Sequence, residues 1–347
     1  MGMRANLVVI EEEGYSLYYS HWCANTLPSD LFWGPNASLK FIQKQRPMPD
    51  KNWLDTIWAE GGVVYDDHQQ ILLFYGGEDI LFDIPLRNLY LEIMQHNWPG
   101  WELRWAHQGI VDLAAYVGIS AEKVYAPDEL DKQILDGQLD TQTSFAQKPV
   151  QKRWISTIGT VKFEDKTVWV FPISLVGNQS WRYLAQGSKL LKFTMDRRVH
   201  QSVDLNEWAT HFPVAGFHLD ESSKTLTLWH ANEMYISPQR ASVWEGWQIK
   251  DIGDNYLQHL SLAEGAFQFP KVDEEKLLEQ LIKILLPSTK NHPMASLKAL
   301  LALQEDEGWE IEVNKLALEH HPQQISYETK MRILNYAISA WHAEKES

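Results

Sequence analysis

The feature that most constrains the fold is a segment that occurs twice in the chain. The first copy begins at Ala59 with AEGGVVYDDHQQILLFYGGEDILFDIPLR, and the second begins at Ala215 with AGFHLDESSKTLTLWHANEMYISPQR. A tryptophan-rich stretch follows each copy, WPGWELRW after the first and WEGWQIKD after the second. A repeat with a period of roughly 150 residues predicts two copies of one domain-sized module and not a solenoid.

The two copies align at glycines, turn residues, prolines and large aromatic residues. The second copy lacks most of the LYLEIMQHN stretch of the first, and the alignment resumes at the tryptophan-rich stretch. The aligned pairs are Gly62 with Gly216, Asp66 with Asp220, Leu72 with Leu226, Tyr75 with Trp229, Pro85 with Pro238, Arg87 with Arg240, Trp98 with Trp244, Gly100 with Gly246, Trp101 with Trp247, and Leu103 with Ile249. We therefore predict a tandem duplication.

Apolar periodicity predicts strands and helices in each module. Alternating and β-branched runs are typical of strands, and apolar residues at spacings of three and four are typical of helices. The first module is predicted to contain a hairpin at 4–10 and 15–22, a helix with Trp53, Ile57 and Trp58, strands at 62–65, 71–75, 80–82 and 101–105, and helices from Pro85 and at 109–118. The second is predicted to contain a matching hairpin at 155–163 and 167–173, strands at 190–194, 215–219 and 225–229, and a helix at 205–208.

The predicted fold class is therefore α+β, with two related modules, each an antiparallel sheet with flanking helices, and an all-helical C-terminal region. We place the first module at residues 1–120, a polar connecting segment at 121–152, the second module at 153–268 and the helical region at 270–347. Helices are expected there at 273–286, 292–303, 309–318 and 326–342. Acidic residues begin the first of these helices, and prolines mark the joints between them.

Charge and cysteine content restrict the function classes. The chain has a formal net charge of −15 and a pI near 5.3, which argues against a nucleic acid as partner, because phosphate contacts need clustered lysines and arginines. Acidity suits a basic protein partner or serves solubility alone. With one cysteine, no signal peptide and no run of about 18 apolar residues, we expect a cytoplasmic protein that has no membrane partner.

The sequence carries no motif that fixes a reaction. It lacks the glycine-rich phosphate-binding patterns, the nucleophile elbow and the histidine spacings of zinc sites, so we expect no cofactor, no metal and no catalytic residue. His21 and Cys23 lie two residues apart and would share one face of an extended segment. That spacing leaves a nucleophilic thiol open, but a buried apolar cysteine is the commoner case.

Acidic residues cluster in two turns of the first copy. Glu78 and Asp79 follow the Gly-Gly pair, and Asp66 and Asp67 lie in the preceding turn. Neighbouring carboxylates can perform acid–base chemistry or hold a cation, but they also serve as polar turn residues at the ends of buried strands. The second copy has HANE in place of GGED, so the two copies do not share this chemistry.

Five stretches of the first module carry a resemblance to a known family: YYSHW, LFWGP, WAEGG, GGEDILFDIPLR and WPGWELRWA. Over about residues 1–120 the chain resembles a poorly characterised bacterial family of cytosolic immunity proteins, which are encoded beside polymorphic interbacterial toxins. The resemblance implies a protein that binds a cognate toxin domain and occludes its active site. It leaves the toxin open. A nucleotide-using transferase such as an ADP-ribosyltransferase is one candidate class, although no residue here argues for it.

We therefore predict an immunity protein that uses exposed aromatic and acidic residues in loops to bind its toxin. The candidate partner-binding residues are Glu11, Glu12, Glu13, Asp66, Asp67, Glu78 and Asp79. Two alternatives stay open at this point. One is a hydrolase that uses the carboxylates of the first module. The other is a regulatory or scaffold protein without enzymatic activity, whose helical C-terminal region docks a partner.

Overall fold

The computed structural model of the chain describes residues 3–137, 151–174, 180–193, 200–287, 319 and 321–346. Within these ranges the chain forms two compact units. The first unit comprises Met1–Leu81, Leu86–Ala126 and Glu274–Ser347, and the second comprises Phe82–Pro85 and Pro127–Asp273. Both units combine helices with a sheet, in agreement with the predicted α+β class.

The first unit is built on a six-stranded sheet with the order β3-β2-β1-β4-β5-β6. Its strands are β1 (Ala5–Glu11), β2 (Gly14–Ser20), β3 (Arg46–Pro47), β4 (Gly61–Asp66), β5 (Ile71–Tyr75) and β6 (Glu102–Trp105). Its helices before the C-terminal region are α1 (Leu27–Leu31), α2 (Pro35–Gln43), α3 (Glu78–Leu81), α4 (Ile84–Gln95, which lies in this unit from Leu86) and α5 (Ile110–Tyr116). Strands β4 and β5 are buried along their whole length, as expected of apolar runs that face protein on both sides.

The second unit is built on a five-stranded sheet with the order β12-β11-β10-β7-β8. Its strands are β7 (Thr157–Lys162), β8 (Val168–Ile173), β10 (Ala215–Asp220), β11 (Thr225–His230) and β12 (Gln248–Asp251), and β9 (Val203–Asp204) pairs with β13 (Phe267–Gln268) in a separate small sheet. The helices are α6 (Glu129–Asp136), α7 (Ser180–Leu184), α8 (Leu190–Phe193), α9 (Leu205–Trp208), α10 (Pro238–Ser242) and α11 (Tyr256–Leu262).

Five strands of the two sheets share one order and one set of directions. The series β2-β1-β4-β5-β6 in the first unit has the same alternation of antiparallel and parallel pairs as β8-β7-β10-β11-β12 in the second. Both sheets are therefore mixed, and the prediction of purely antiparallel sheets was wrong. The parallel pairs arise because the connections from β2 to β4 and from β5 to β6 pass through helices, which return the chain in its original direction.

The correspondence extends to individual backbone positions. Gly62 lies opposite Tyr75, and Gly216 lies opposite Trp229, as the sequence alignment pairs them. In each tryptophan-rich corner two indoles meet edge to face, with centroids 5.0 Å apart in the first unit and 5.2 Å apart in the second. The glycine between those indoles has φ of 80° in the first corner and 76° in the second, a conformation that favours glycine. The corners belong to the two cores, since Trp98, Trp101 and Trp244 are buried and Trp247 is partly buried.

A buried arginine follows the helix-starting proline in each unit. Arg87 donates to the carbonyl oxygen of Leu81 at 3.1 Å, and Arg240 donates to that of Tyr235 at 3.4 Å. Arg240 also forms an ion pair with Asp131 at 3.2 Å, and Asp131 is fully buried in α6. Residues 127–137 of the segment predicted as a connection therefore belong to the second unit, where Asp131 neutralises a buried guanidinium.

Three predicted elements differ from the structure. Residues 80–82 do not form a strand: Glu78–Leu81 is a short helix, because two glycines with positive φ turn the chain out of the sheet and Asn25 Oδ1 accepts the Glu78 N–H at 2.9 Å. Leu190–Phe193 is a helix and not a strand. The segment with Ile57 and Trp58 is a turn in which both side chains are exposed, and Asp55 Oδ1 accepts both backbone N–H groups. This segment therefore has no helix to correspond to α9 of the second unit.

The C-terminal helices pack on the first unit and do not form a unit of their own among the described residues. Helix α12 (Glu274–Leu285) and helix α13 (Tyr327–Lys345) have the predicted type, and the helices predicted at 292–303 and 309–318 lie outside the described residues. The Trp341 indole N–H donates to Glu92 Oε2 at 3.0 Å, and Gln323 Nε2 donates to the Asp30 carbonyl at 2.9 Å. These bonds attach the C-terminal segment to α4 and α1.

Candidate functional site

The predicted acidic residues of the first unit separate into two groups, and the larger group lies at one end of the sheet. Strands β1 and β4 are parallel neighbours, with Val9 opposite Tyr65, so the residues that follow them emerge at the same end. Glu11, Glu12 and Glu13 are exposed at the turn after β1, and Asp67 is exposed at the turn after β4. We call these four residues the acidic edge.

Asp66 lies at this end of the sheet but does not face solvent. Its side chain is 1% exposed, the Gln69 N–H donates to Oδ1 at 2.9 Å, and the Tyr116 hydroxyl donates to Oδ2 at 2.7 Å. Burial, followed by the hydrogen bond to this carboxylate, raises the pKa of Tyr116. The carboxylate of Asp66 thus stabilises the β4–β5 turn next to the acidic edge, and it is not available at the surface for a partner.

Glu78 and Asp79 occupy the opposite end of the sheet. Strand β5 runs antiparallel to β4, and its five residues separate the two turns by about 16 Å at roughly 3.3 Å per residue. Both acids lie in the first turn of α3, where Asn25 Nδ2 donates to Glu78 Oε2 at 3.4 Å. Carboxylates in both turns could not contact one reacting atom across this distance. The structure therefore does not bring the two acidic turns together into one site of the kind that a hydrolase would use.

Aromatic side chains flank the acidic edge on the β2 side. Tyr15 and Trp53 meet edge to face with centroids 6.1 Å apart, and the Trp53 indole N–H donates to the Tyr15 hydroxyl at 3.2 Å. Lys51 lies over the Tyr15 ring at 4.0 Å. Both aromatic side chains are half-buried, so each presents part of its ring at the surface. Sequence reasoning missed this pair because 38 residues separate its members.

The support for Asp67 comes from the core of the first unit. Tyr65 is buried, its ring lies 4.8 Å from the Trp101 ring, and its hydroxyl donates to Asp67 Oδ1 at 3.5 Å. Burial, with a further contribution from the Asp67 carboxylate, raises the pKa of Tyr65. Asp67 is therefore held by a hydrogen bond from a buried aromatic residue, which limits the conformational entropy that binding would remove at this side chain.

The corresponding end of the second sheet has a different charge pattern. The turn after β7 contains Glu164, Asp165 and Lys166, and the turn after β10 ends in Lys224. Lys162 Nζ pairs with Glu264 Oε1 at 2.5 Å beside them. Acids and bases are mixed in these turns, whereas the two turns of the acidic edge contain acids and neither lysine nor arginine.

The structure does not support a nucleophilic role for Cys23. Its thiol is buried, and burial raises its pKa, so the sulfur stays protonated at neutral pH. His21, two residues earlier, has its Nδ1 2.9 Å from the Tyr19 hydroxyl, and burial lowers its pKa. Among the described residues, no group of three or more histidine, cysteine, aspartate or glutamate side chains is arranged to hold a metal ion.

Comparisons with known proteins give no match: no family model, no curated protein and no solved structure is similar to this chain. Within the described ranges, no helix has the length and apolar character needed to cross a bilayer. Function must therefore be inferred from the geometry of this chain alone.

Proposed function

We propose that this chain is an immunity protein, which binds an antibacterial toxin domain and neutralises it by covering the active site. The observation that carries the proposal is the acidic edge, where Glu11, Glu12, Glu13 and Asp67 are exposed together beside the half-buried pair Tyr15 and Trp53. Aromatic anchors inside a charged rim are typical of protein interfaces. The net charge of −15 on the whole chain also favours a basic partner.

Each part of this surface has a separate physical role. Exposed carboxylates attract a basic partner over a distance of about one Debye length, roughly 8 Å at physiological salt, and mainly increase the association rate. Tyr15 and Trp53 offer apolar area at a low cost in side-chain entropy and mainly slow dissociation. A toxin whose active site binds a nucleotide or nucleic acid would carry the complementary positive charge, and an ADP-ribosyltransferase domain is one such candidate.

We also infer that the two units arose by tandem duplication. The shared order of five strands supports this origin, and so do the matched turns: Asp66 Oδ1 accepts from Gln69 N as Asp220 Oδ1 accepts from Ser223 N, both at 2.9 Å. Because the acidic edge occurs in the first unit, we assign toxin binding to that unit. The second unit would then have kept the scaffold while its surface diverged.

The function is tested by protection in a susceptible bacterial host. The probe is the toxin domain encoded beside the gene of this chain, expressed from an inducible promoter with and without the full-length chain. The proposal expects survival only when the chain is present, and a complex of the two purified proteins that elutes as one species. An empty vector and an unrelated acidic protein of similar size serve as controls.

Two results would contradict the proposal. One is a gene that has no toxin in its neighbourhood, combined with no protection against a panel of toxin domains that includes ADP-ribosyltransferases. The other is protection without a stable complex, because an enzyme that repairs the toxin's damage would protect in that way. Protection without a stable complex would favour an enzymatic function, such as the hydrolase alternative.

A further inference from the structure

A chain of hydrogen bonds crosses the core of the second unit. Thr160 on β7, His218 on β10, Trp229 on β11 and His259 on α11 are all buried. Thr160 Oγ1 lies 2.8 Å from His218 Nδ1 and 2.7 Å from His259 Nε2, and the Trp229 indole N–H donates to His259 Nδ1 at 2.9 Å. We call these four residues the histidine network.

The chemistry of the four groups fixes the proton of His259 and favours one arrangement at His218. An indole N–H can only donate, so His259 Nδ1 must be unprotonated and its proton must lie on Nε2. His259 Nε2–H then donates to the Thr160 hydroxyl oxygen, and the Thr160 hydroxyl has two acceptors within reach, His218 Nδ1 at 2.8 Å and the Phe217 carbonyl oxygen at 3.5 Å. With the shorter of these two bonds formed, both imidazoles are neutral.

A second proton on either ring would disrupt the network. On His259 it would have to occupy Nδ1 and would face the Trp229 indole N–H, placing two donors 2.9 Å apart. On His218 it would face the Thr160 hydroxyl, whose proton could then turn only toward the Phe217 carbonyl oxygen at the longer distance of 3.5 Å. His259 is thus the less tolerant of the two positions.

Few charges face these rings. The charged groups that affect the pKa of His218 are Lys162 on β7, Asp220 on β10 and Glu264 after α11. The titratable group that affects the pKa of His259 is His218. Burial lowers the pKa of His218 to about 4 and lowers that of His259 well below its ordinary value. The two carboxylates near His218 do not offset its burial, and Lys162 acts in the same direction as burial.

The first unit shows that this fold does not require histidine or threonine here. Val8 faces Val64 across β1 and β4 as Thr160 faces His218 across β7 and β10. Leu113 is the fourth residue of α5, as His259 is the fourth residue of α11. These three equivalents are apolar and buried, and the equivalent of Trp229, Tyr75, donates its hydroxyl to the Ala59 carbonyl oxygen instead. The hydrogen bonds between Thr160 and the two histidines are therefore an addition to a scaffold that packs without them.

We propose that the histidine network is an acid-sensitive latch, which holds α11 on the second sheet at neutral pH and releases it in mildly acidic solution. Helix α11 packs on β10 and β11, and His259 is its buried polar anchor to that sheet. The latch would let acidification open the second unit more readily than the first, which has no histidine at the equivalent positions. It does not depend on the proposed toxin.

The direction of the pH effect follows from proton linkage. The unfolded chain binds a proton at each histidine near pH 6.5, while the folded chain does not until the pH is much lower. Between these limits the open state binds more protons, so its population rises as the pH falls. Each histidine contributes about tenfold per unit of pH well below 6.5. From pH 7.5 to pH 5 the two together should raise the opening constant by about 800-fold.

The test compares the full-length chain with a variant that restores the residues of the first unit: Thr160→Val, His218→Val and His259→Leu. Hydrogen exchange in moderate urea is measured by mass spectrometry at pH 7.5 and pH 5, and the protection of β10 is divided by that of β4 in the same molecule. This ratio cancels the intrinsic pH dependence of exchange. We expect it to fall by two to three orders of magnitude in the natural chain and by less than tenfold in the variant.

An equal fall of the ratio in both chains would overturn the proposal. If the triple variant does not fold, nitrogen NMR of the histidine rings in the natural chain decides instead. The proposal requires a neutral His259 with its proton on Nε2 at pH 7. A doubly protonated ring, or a proton on Nδ1, at that pH would overturn it equally.

Discussion

Replacing Asp66 by alanine separates a structural role from a binding role at the acidic edge. The carboxylate accepts hydrogen bonds from the Gln69 N–H at 2.9 Å and the Tyr116 hydroxyl at 2.7 Å, and its side chain is 1% exposed. Hydrogen bonds to charged groups contribute about 1.5–3 kcal/mol each. Water can reach both donors once the turn loosens, so we expect Asp66→Ala to lower the free energy of unfolding by about 2–4 kcal/mol.

The assay is thermal and urea unfolding of the full-length chain, followed by circular dichroism and by hydrogen exchange in β4. A loss of this size corresponds to a melting temperature lower by about 5–12 °C for a unit of this length. Asp67→Ala is the matched control, because Asp67 is exposed and its change should stay within about 0.5 kcal/mol. Asp66→Asn should fall between the two, since an amide oxygen can still accept the Gln69 N–H. Equal stability of Asp66→Ala and Asp67→Ala would refute the assigned role.

Three further outcomes follow from contacts in the two cores. Gly216→Ala should destabilise the second unit by about 1–3 kcal/mol, measured as a lower urea midpoint of β10 exchange, because an added Cβ would lie 2.4 Å from the Trp229 indole nitrogen. Cys23 should resist alkylation at pH 8 in the folded chain and react in denaturant, since its thiol is buried with a raised pKa; rapid native labelling would show that this core is open. Trp341→Phe keeps an aromatic ring but removes the indole N–H that donates to Glu92, so the backbone amides of α13 should exchange faster while those of β10 are unchanged.

The repeated scaffold was the part of the fold most accessible to sequence reasoning. The glycine of each central hairpin has no room for a Cβ. At Gly62 an added Cβ would lie 2.6 Å from Leu113 Cδ2 and 2.8 Å from the Asn6 carbonyl oxygen, and at Gly216 it would overlap the Trp229 indole. Both copies therefore carry glycine at this position, which made it a fixed point of the sequence alignment. Apolar alternation then located the strands, and the three- and four-residue spacing located α4.

Elements whose structure depends on residues far away in the chain could not be predicted from the sequence pattern. The apolar run at 80–82 fits a strand or a helix equally well, and the choice is made by Asn25, which binds Glu78 from 53 residues away. The parallel pairing of β1 with β4 depends on the path of the helices between them. The separation of two acidic turns by the length of β5 follows from that pairing, so the sequence could not distinguish a joint site from two distant surfaces.

The candidate site itself was predicted in part. Glu11, Glu12, Glu13 and Asp67 are exposed in turns, while Asp66 is buried, because its carboxylate accepts hydrogen bonds from the Gln69 N–H and the Tyr116 hydroxyl. The histidine network was missed because its hydrogen bonds join residues 58 and 99 positions apart. A signal was present in the alignment of the copies, where a histidine in AGFHLD occupies the place of a valine in GGVVYD.

The most direct test of toxin binding through the acidic edge is the affinity of two charge-reversal variants for the purified toxin domain encoded beside the gene. Glu12→Lys with Asp67→Lys brings the formal charge of the acidic edge from −4 to 0, and Glu78→Lys with Asp79→Lys makes the same change of four charges at the opposite end of the sheet. Both variants change the net charge by the same amount. We expect the first to weaken binding by at least about tenfold, largely through the association rate, and the second to change it by less than about threefold. Equal weakening by both variants would show that binding follows net charge alone, and unchanged binding by the first would place the interface elsewhere.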